Sequence, residues 1–306
     1  MDLIELEIFC AVAEGRSITR AAAQLKRVQS NVTTRVKHLE HDLGVSLFLR
    51  GGRGMTLTPA GERLLGYAQK ILALAREARH ALGARGPSGV LRIGTVESVA
   101  ERWLPCVIGT YHQRWSDVQI KVSNDTSRVL VDQVRSGAID GAFVAQVEGE
   151  VHDGPELVAD SLTGELGLQA IKVGGDELLA VLPTARGAGA GAARCYPIAT
   201  TAEGTAYRKL AHDWLADNGV DIDPQHEAIQ LSSYPALLMS AMAGDVIALF
   251  PRSVLERLDL PRGSSAVPFA SSSIYLVSRA GFTNSAFDEL VRLLPAGARC
   301  DKSRVV

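Results

Sequence analysis

The chain has 306 residues, enough for two or three compact units and too many for one small domain. Hydrophobic residues make up 46% of it and aromatics only 5%, so aliphatic cores are available and wholesale disorder is excluded. A formal net charge of −2 excludes a general polycation, and any affinity for an acidic polymer must therefore be local.

The first informative run begins at Ser17, whose hydroxyl can cap a helix over Ile18–Leu25. After Lys26-Arg27-Val28 a second helix is expected to reach Leu43 and stop at Gly44, where glycine takes a left-handed cap without strain. Val32, Val36, Leu39 and Leu43 recur at i, i+4, i+7 and i+11 and predict one buried stripe. The opposite face carries Gln29, Ser30, Thr33, Thr34 and Lys37, short hydrogen-bonding side chains plus a cation, suited to base edges and phosphate. An ordinary solvated helix face has the same look, and charge separates the two readings. Between residues 16 and 53, eight cations (Arg16, Arg20, Lys26, Arg27, Arg35, Lys37, Arg50, Arg53) stand against only Glu40 and Asp42. Such a basic island on an acidic protein is the footprint of a phosphate-binding module. Arg50-Gly51-Gly52-Arg53-Gly54 then reads as the turn of a two-stranded wing with guanidiniums at its tip.

From Glu62 to Leu82 a long helix is expected, with Leu64, Ala68, Ile71, Ala75, Ala78 and Leu82 at steps of four and three. Their mean period of 3.5 favours a partner helix over a helix packed on its own domain. Gly83, Gly86, Pro87, Ser88 and Gly89 break the pattern and mark a boundary. Beyond it, strands at Val90–Thr95, Val118–Val122 and Gly141–Ala145 alternate with helices at Ser98–Arg114 and Arg128–Ser136. Further strands are expected at Leu166–Val173, Leu178–Pro183, Ile198–Thr200, Val246–Phe250 and Ile274–Ser278, and helices at Tyr207–Asn218, Pro235–Ala243 and Ser285–Leu294. The alternation predicts a mostly parallel sheet covered on both faces.

Small ligands bind at the carboxyl ends of such strands, and hydroxyls gather there. Thr95 ends a strand and Ser98 opens the next helix; Thr126 and Ser127 precede another. Thr200 and Thr201 follow the corresponding strand of the second half, with Gly204 and Thr205 behind them. Each hydroxyl alone reads more simply as a helix cap. Three clusters at corresponding ends are less easily dismissed as caps and mark a candidate small-ligand site, with Glu97 and Asp125 as acidic neighbours and exposed helix amides for an anionic group.

The ordered set of Phe9 and Ala13, then Ser17, Ala21-Ala22, Leu25, Gln29, Val32, Leu39-Glu40, Leu43-Gly44-Val45, Leu47-Phe48, Arg50 and Leu57-Thr58-Pro59-Ala60-Gly61 resembles the LysR-type transcriptional regulators. The likeness is specific in residues 1–61 and weaker, though continuous, beyond residue 90. Thr33-Thr34 departs from the family's usual Ser-Arg, with Arg35 adjacent, and Asp125 stands where the family more often has glycine.

The resemblance implies an α+β multidomain chain. A winged helix-turn-helix (1–61) is followed by a linker dimerisation helix and hinge (62–89). A periplasmic-binding-protein-like α/β effector domain (90–306) completes it, with subdomain I at about 90–162 and 268–306 and subdomain II at about 163–267. The implied function is sequence-specific DNA binding controlled by a small effector held between the two subdomains, most simply a carboxylate-bearing metabolite. Implied partners are duplex DNA with an interrupted inverted repeat, a second copy of the chain, tetramers, and the transcription machinery. A ligand-independent regulator with a vestigial cleft is the nearest alternative.

Other classes fit less well. There is no G-x-S-x-G elbow and no P-loop, so no enzyme is expected. Gly187, Gly189 and Gly191 lack dinucleotide-fingerprint spacing, and His38 and His41 lack a third ligand, so neither cofactor nor metal is expected. A solute-binding protein would leave the first 60 residues unexplained. Cys10, Cys106, Cys195 and Cys300 show no paired spacing and read as thiols in a reducing compartment. The acidic start MDLIELEIF is no signal peptide and no apolar run reaches spanning length, so a cytoplasmic location without membrane contact is expected.

Overall fold

A computed structural model describes residues 1–51, 54–82, 86–147, 167–182, 196–201, 208–219, 229–231, 233–243, 246–260 and 265–294. They divide into two compact units, with Met1–Gly86 forming the bulk of the first and residues from Pro87 onward the bulk of the second.

In the first unit, α1 (Leu3–Gly15) opens with a reciprocal capping box: Glu5 donates its amide to Asp2 Oδ1 at 2.7 Å, and Asp2 donates its own to Glu5 Oε2 at 3.0 Å. Ser17 caps α2 (Ile18–Gln24), accepting the Arg20 amide at 3.4 Å as its position predicts. The following α3 (Gln29–Leu43) stops at Gly44, whose φ of 68° is the left-handed cap. Strands β1 (Phe48–Gly51) and β2 (Gly54–Leu57) form the antiparallel wing, with Phe48 opposite Leu57. Helix α4 (Pro59–Leu82) starts three residues before the expected Glu62. Thr58 caps it, its Oγ1 accepting the Gly61 amide at 3.0 Å, and Pro59 fills the first turn without losing a bond.

One core holds these pieces: Leu6, Ile8, Phe9 and Val12 of α1, Ala21 and Ala22 of α2, Val32, Val36 and Leu39 of α3, with Leu47, Phe48, Ala68 and Leu72. The rings of Phe9 and Phe48 meet at 5.4 Å. Two expectations need correction. Leu43 is exposed, because it closes α3 where the chain turns away at Gly44, so the buried stripe ends at Leu39. The expected α4 seam is split as well. Leu64 and Ala68 pack into the unit's own core, while Ile71 and Leu82 of the same seam stand exposed, as do Tyr67 and Leu74 beside it.

The second unit is built on one eight-stranded sheet in the order β4-β3-β5-β10-β6-β9-β7-β8. Its strands are β3 (Gly89–Thr95), β4 (Val118–Asn124), β5 (Gly141–Val147), β6 (Leu168–Leu182), β7 (Ile198–Thr200), β8 (Ile229–Gln230), β9 (Ile247–Pro251) and β10 (Ser265–Arg279). β4-β3-β5 form one parallel block and β9-β7-β8 another. Between them β6 and β10 run antiparallel to each other and to their outer neighbours β5 and β9. The sheet is therefore mixed where a mostly parallel one was expected. The two strands expected at Leu166–Val173 and Leu178–Pro183 are one 15-residue strand, and Ile274–Ser278 is part of another. Glycine and charge at Gly174–Glu177 look like a turn in sequence, but the ladder absorbs them with a register shift between Ile274 and Tyr275.

Around the sheet lie α5 (Glu97–Arg102), α6 (Leu104–Arg114), α7 (Ser127–Ser136), α8 (Arg208–Asp217), α9 (Tyr234–Ala243), α10 (Arg252–Leu255) and α11 (Ser285–Leu293). The single helix expected over Ser98–Arg114 breaks at Trp103, where Pro105 opens the second piece. Trp103 packs so tightly on Gly174 that a Cβ there would lie 2.2 Å from its ring. Tyr234, Leu237, Ala248 and Phe250 centre one core cluster, and Leu178, Ala180, Leu215 and Leu249 another. Among the described residues no helix is long and apolar enough to cross a membrane, and no group of three or more His, Cys, Asp or Glu side chains could hold a metal ion.

Candidate nucleic-acid interface and effector site

Helix α3 presents its polar face as expected: Gln29, Ser30, Thr34 and Lys37 are exposed and Thr33 is half-buried. Thr33 donates its hydroxyl to the Gln29 carbonyl at 2.9 Å, which leaves its oxygen free to accept only. Arg35 does not stand free. Its Nη1 lies 3.1 Å from Asp2 Oδ2 and 3.6 Å from Glu5 Oε1, so it fastens α3 to the start of α1. His38 Nδ1 joins the same carboxylate at 2.6 Å, and the terminal ammonium reaches Asp42 at 2.6 Å. Burial pushes the Glu5 carboxyl up, but the Asp2 amide and His38 outweigh it and hold the group below its ordinary value. The Glu5 amide likewise lowers Asp2, and the terminal ammonium lowers Asp42. This network was illegible in sequence, since 33 residues separate Asp2 from Arg35.

The wing is tied to α3 by Glu40, whose Oε1 accepts the amides of Leu47 at 2.8 Å and Phe48 at 3.2 Å. Met55 donates its amide to the Arg16 carbonyl at 3.1 Å, in the turn between α1 and α2. Gly54, at φ 120°, is required there, because a Cβ would lie 2.9 Å from that same carbonyl. Arg50 sits in the ladder opposite Met55, while its side chain and all of Arg53 lie outside the described residues.

At the strand ends of the second unit the hydroxyls are present but largely engaged. Thr95 is fully buried and donates to the Val96 carbonyl at 3.0 Å. Thr200, 1% exposed, donates to the Thr201 carbonyl at 3.1 Å, the same geometry at the end of β7 in the other parallel block. Ser127 bridges to β5, donating to the Ala145 carbonyl at 3.0 Å and accepting the Ala145 amide at 3.1 Å. The Thr126 amide turns to Asp125 Oδ1 at 2.8 Å, and the Asp125 amide to the Thr95 carbonyl at 3.2 Å. Thr95, Asp125, Thr126 and Ser127 are thus brought together. Val96, not Ser98, is the N-cap of α5; Glu97 is half-buried in its first turn, and Ser98 behind it is buried. Thr201 is buried too, and Gly204 and Thr205 fall outside the described residues.

A cavity of about 430 Å³ opens beside the paired strands β6 and β10, lined among others by Arg102, Lys172, Asp176, Arg252, Glu256 and Ser272. None of the expected hydroxyls lines it. Asp176 receives the Ser253 hydroxyl and, at 3.2 Å, the Ser253 amide, with Arg102 at 3.9 Å. Burial nevertheless raises the Asp176 carboxyl above its ordinary value. Arg252 is held by Glu177 through contacts of 2.6 and 2.5 Å. These charges come from three elements far apart in the chain, α5, β6 and the α10 turn.

A helix-turn-helix with a wing, followed by an α/β unit with crossing strands, defines a DNA-binding protein with an appended ligand-domain fold. Residues 3–62 match the family described as "Bacterial regulatory helix-turn-helix protein, lysR family", and residues 84–299 match "LysR substrate binding domain". The regulator YofA of Bacillus velezensis is 34% identical over 302 residues, spanning 97% of this chain and 98% of that protein. CzcR of Bacillus subtilis is 31% identical over 260 residues, 84% of this chain and 83% of its own length. Among solved structures, a full-length OxyR variant from Pseudomonas aeruginosa superposes with a TM-score of 0.66 at 20% identity, covering 96% of this chain and 97% of that one. CbnR complexed with its target DNA superposes at 0.59 and 20% identity, covering 96% and 99%. The chain belongs to the LysR family: it is a DNA-binding transcriptional regulator with a substrate-binding domain, and it is not an enzyme.

Proposed function

We propose that this regulator acts in the cytoplasm as a homo-oligomer that reads an interrupted inverted repeat and changes its output when a small carboxylate-bearing metabolite occupies the second unit. The exposed polar face of α3, with Gln29, Ser30, Thr34 and Lys37 set in a basic segment, is the observation that carries the DNA reading. Gln29, Ser30, Thr33 and Thr34 face base edges, while Lys37, Arg50 and Arg53 serve phosphate or the adjacent groove. Arg35 holds the helix in place from behind. The exposed stripe Tyr67–Ile71–Leu74 on α4 supports pairing of two chains, and this pairing supplies the two-fold symmetry that an inverted repeat requires.

For the effector, the matched geometry of Thr95 and Thr200 marks two equivalent strand ends, with Glu97, Ser98, Thr126, Ser127, Thr201, Gly204 and Thr205 completing the proposed site. The buried hydroxyls, Ser98 among them, shape the loops, and the amides at the start of α5 meet the ligand. In the cavity beside β6 and β10, where Arg102 and Arg252 contact Asp176 and Glu177, Lys172 offers an ammonium to the carboxylate of such a ligand. Such a ligand acts only by stabilising one assembly geometry over another. A thermal-shift screen of the full chain against carboxylate metabolites tests this. A true effector raises the melting temperature by mass action, and Ser98→Ala and Lys172→Gln each lessen the shift. If no carboxylate moves the transition, or both variants respond like the parent, the effector assignment fails.

A further inference from the structure

The first residue of the reading helix's cap is an anomaly. Helix N-caps are usually Ser, Thr, Asp or Asn, because their side chains accept an otherwise orphaned amide. Here the N-cap of α3 is Val28, at φ −78° and ψ 146°, and no side-chain cap bond forms. Its carbonyl receives the amides of Asn31 at 3.1 Å and Val32 at 3.3 Å, so the residue is fixed to the first helical turn. Its side chain is 68% exposed, beside the equally exposed Gln29 and Ser30 and directly after Lys26 and Arg27. A β-branched residue at a fixed backbone is stiff at χ1, so the isopropyl group points in one direction. An apolar knob therefore stands at the end of the helix that enters the groove first, in a setting otherwise polar and basic.

We propose that Val28 is a specificity-determining residue that reads thymine, packing its methyls on a C5-methyl group at the edge of the segment read by Gln29 and Ser30. In the major groove thymine alone among the four bases presents a methyl, while the others offer only donors and acceptors that valine cannot meet. The inference rests on the proposed reading by α3 and adds the base identity at one position of each half-site. Because both contacting groups are apolar, the gain is burial, worth about fourfold in affinity for one methyl.

The test uses full-length protein and the tightest duplex it selects from a random pool. Each thymine of a half-site is replaced in turn by uracil, which deletes the methyl and nothing else, and the series is repeated with Val28→Ala. One replacement is expected to weaken the parent about fourfold and to leave Val28→Ala unaffected. Val28→Thr, which keeps the branched shape and can cap the helix, guards against loss of fold; it should match the parent's melting temperature and show reduced uracil sensitivity. If no uracil weakens the parent, or the uracil and alanine effects simply multiply, Val28 does not read thymine although α3 still reads DNA. If no duplex is selected at all, the reading by α3 falls together with the inference.

Discussion

Glu5 shows how single side chains set the posture of the reading helix. Its side chain is 2% exposed, yet it accepts the Asp2 amide and contacts Arg35, His38 and the terminal ammonium. A buried carboxylate needs such partners, since an unpaired one would be strongly penalised. The group sits below its ordinary value in the folded chain, so its contribution is complete above the unfolded value and is lost as pH falls through the folded one. Glu5→Gln is therefore expected to cost about 1.5–3 kcal/mol at neutral pH. It should also flatten the acid limb of the stability curve, as read by chemical denaturation between pH 7 and pH 3. Equal acid sensitivity in parent and variant would contradict this role. The local half of the arrangement, Asp2 capping α1, spans a single helical turn. The long-range half depends on how α1 and α3 pack, and periodicity does not encode that.

At the scale of elements, the sequence made the helices and the wing legible wherever a boundary had its own chemistry. Ser17 and Gly44 behave as their residue types demand. Strand length was illegible at β6, because Gly174 and Gly175 followed by two acids resemble a turn, while the ladder to β10 continues through them. Helix α4 shows the opposite difficulty. Its 3.5-residue spacing is real, but Ala68 belongs to the helix-turn-helix core, and the exposed apolar stripe is offset to Tyr67, Ile71 and Leu74. Exposed apolar residues at steps of four and three on one helix fit a second copy of that helix. Replacing Ile71 and Leu74 together by lysine should leave the fold intact and convert the oligomer to monomer in sedimentation at micromolar concentration. An unchanged sedimentation coefficient would place the interface elsewhere.

For the whole molecule, the order of units was readable because the DNA-binding segment concentrates eight cations and the linker breaks composition at Gly86-Pro87-Ser88-Gly89. The proposed ligand site has only an outline in the sequence. Thr95 and Thr200 close their strands and Ser127 opens α7, but each hydroxyl is spent on a backbone partner, a role that residue type and position cannot distinguish from ligand contact. The cavity beside β6 and β10 collects its charges from elements far apart in the chain and had no sequence signal at all. The central claim is that α3 reads bases while basic residues around it hold phosphate, and it separates two kinds of variant. Gln29→Ala should narrow the gap between selected and random duplex by about 1–3 kcal/mol with an unchanged salt slope. Lys37→Ala should weaken binding to both duplexes alike and reduce the salt slope by about one. The most direct measurement is therefore the affinity of the parent and these two variants for selected and random duplexes across a salt series. Specificity is expected to fall only with Gln29→Ala and salt dependence only with Lys37→Ala; specificity unaffected by Gln29→Ala, or no salt-sensitive binding in the parent, would overturn base reading by α3.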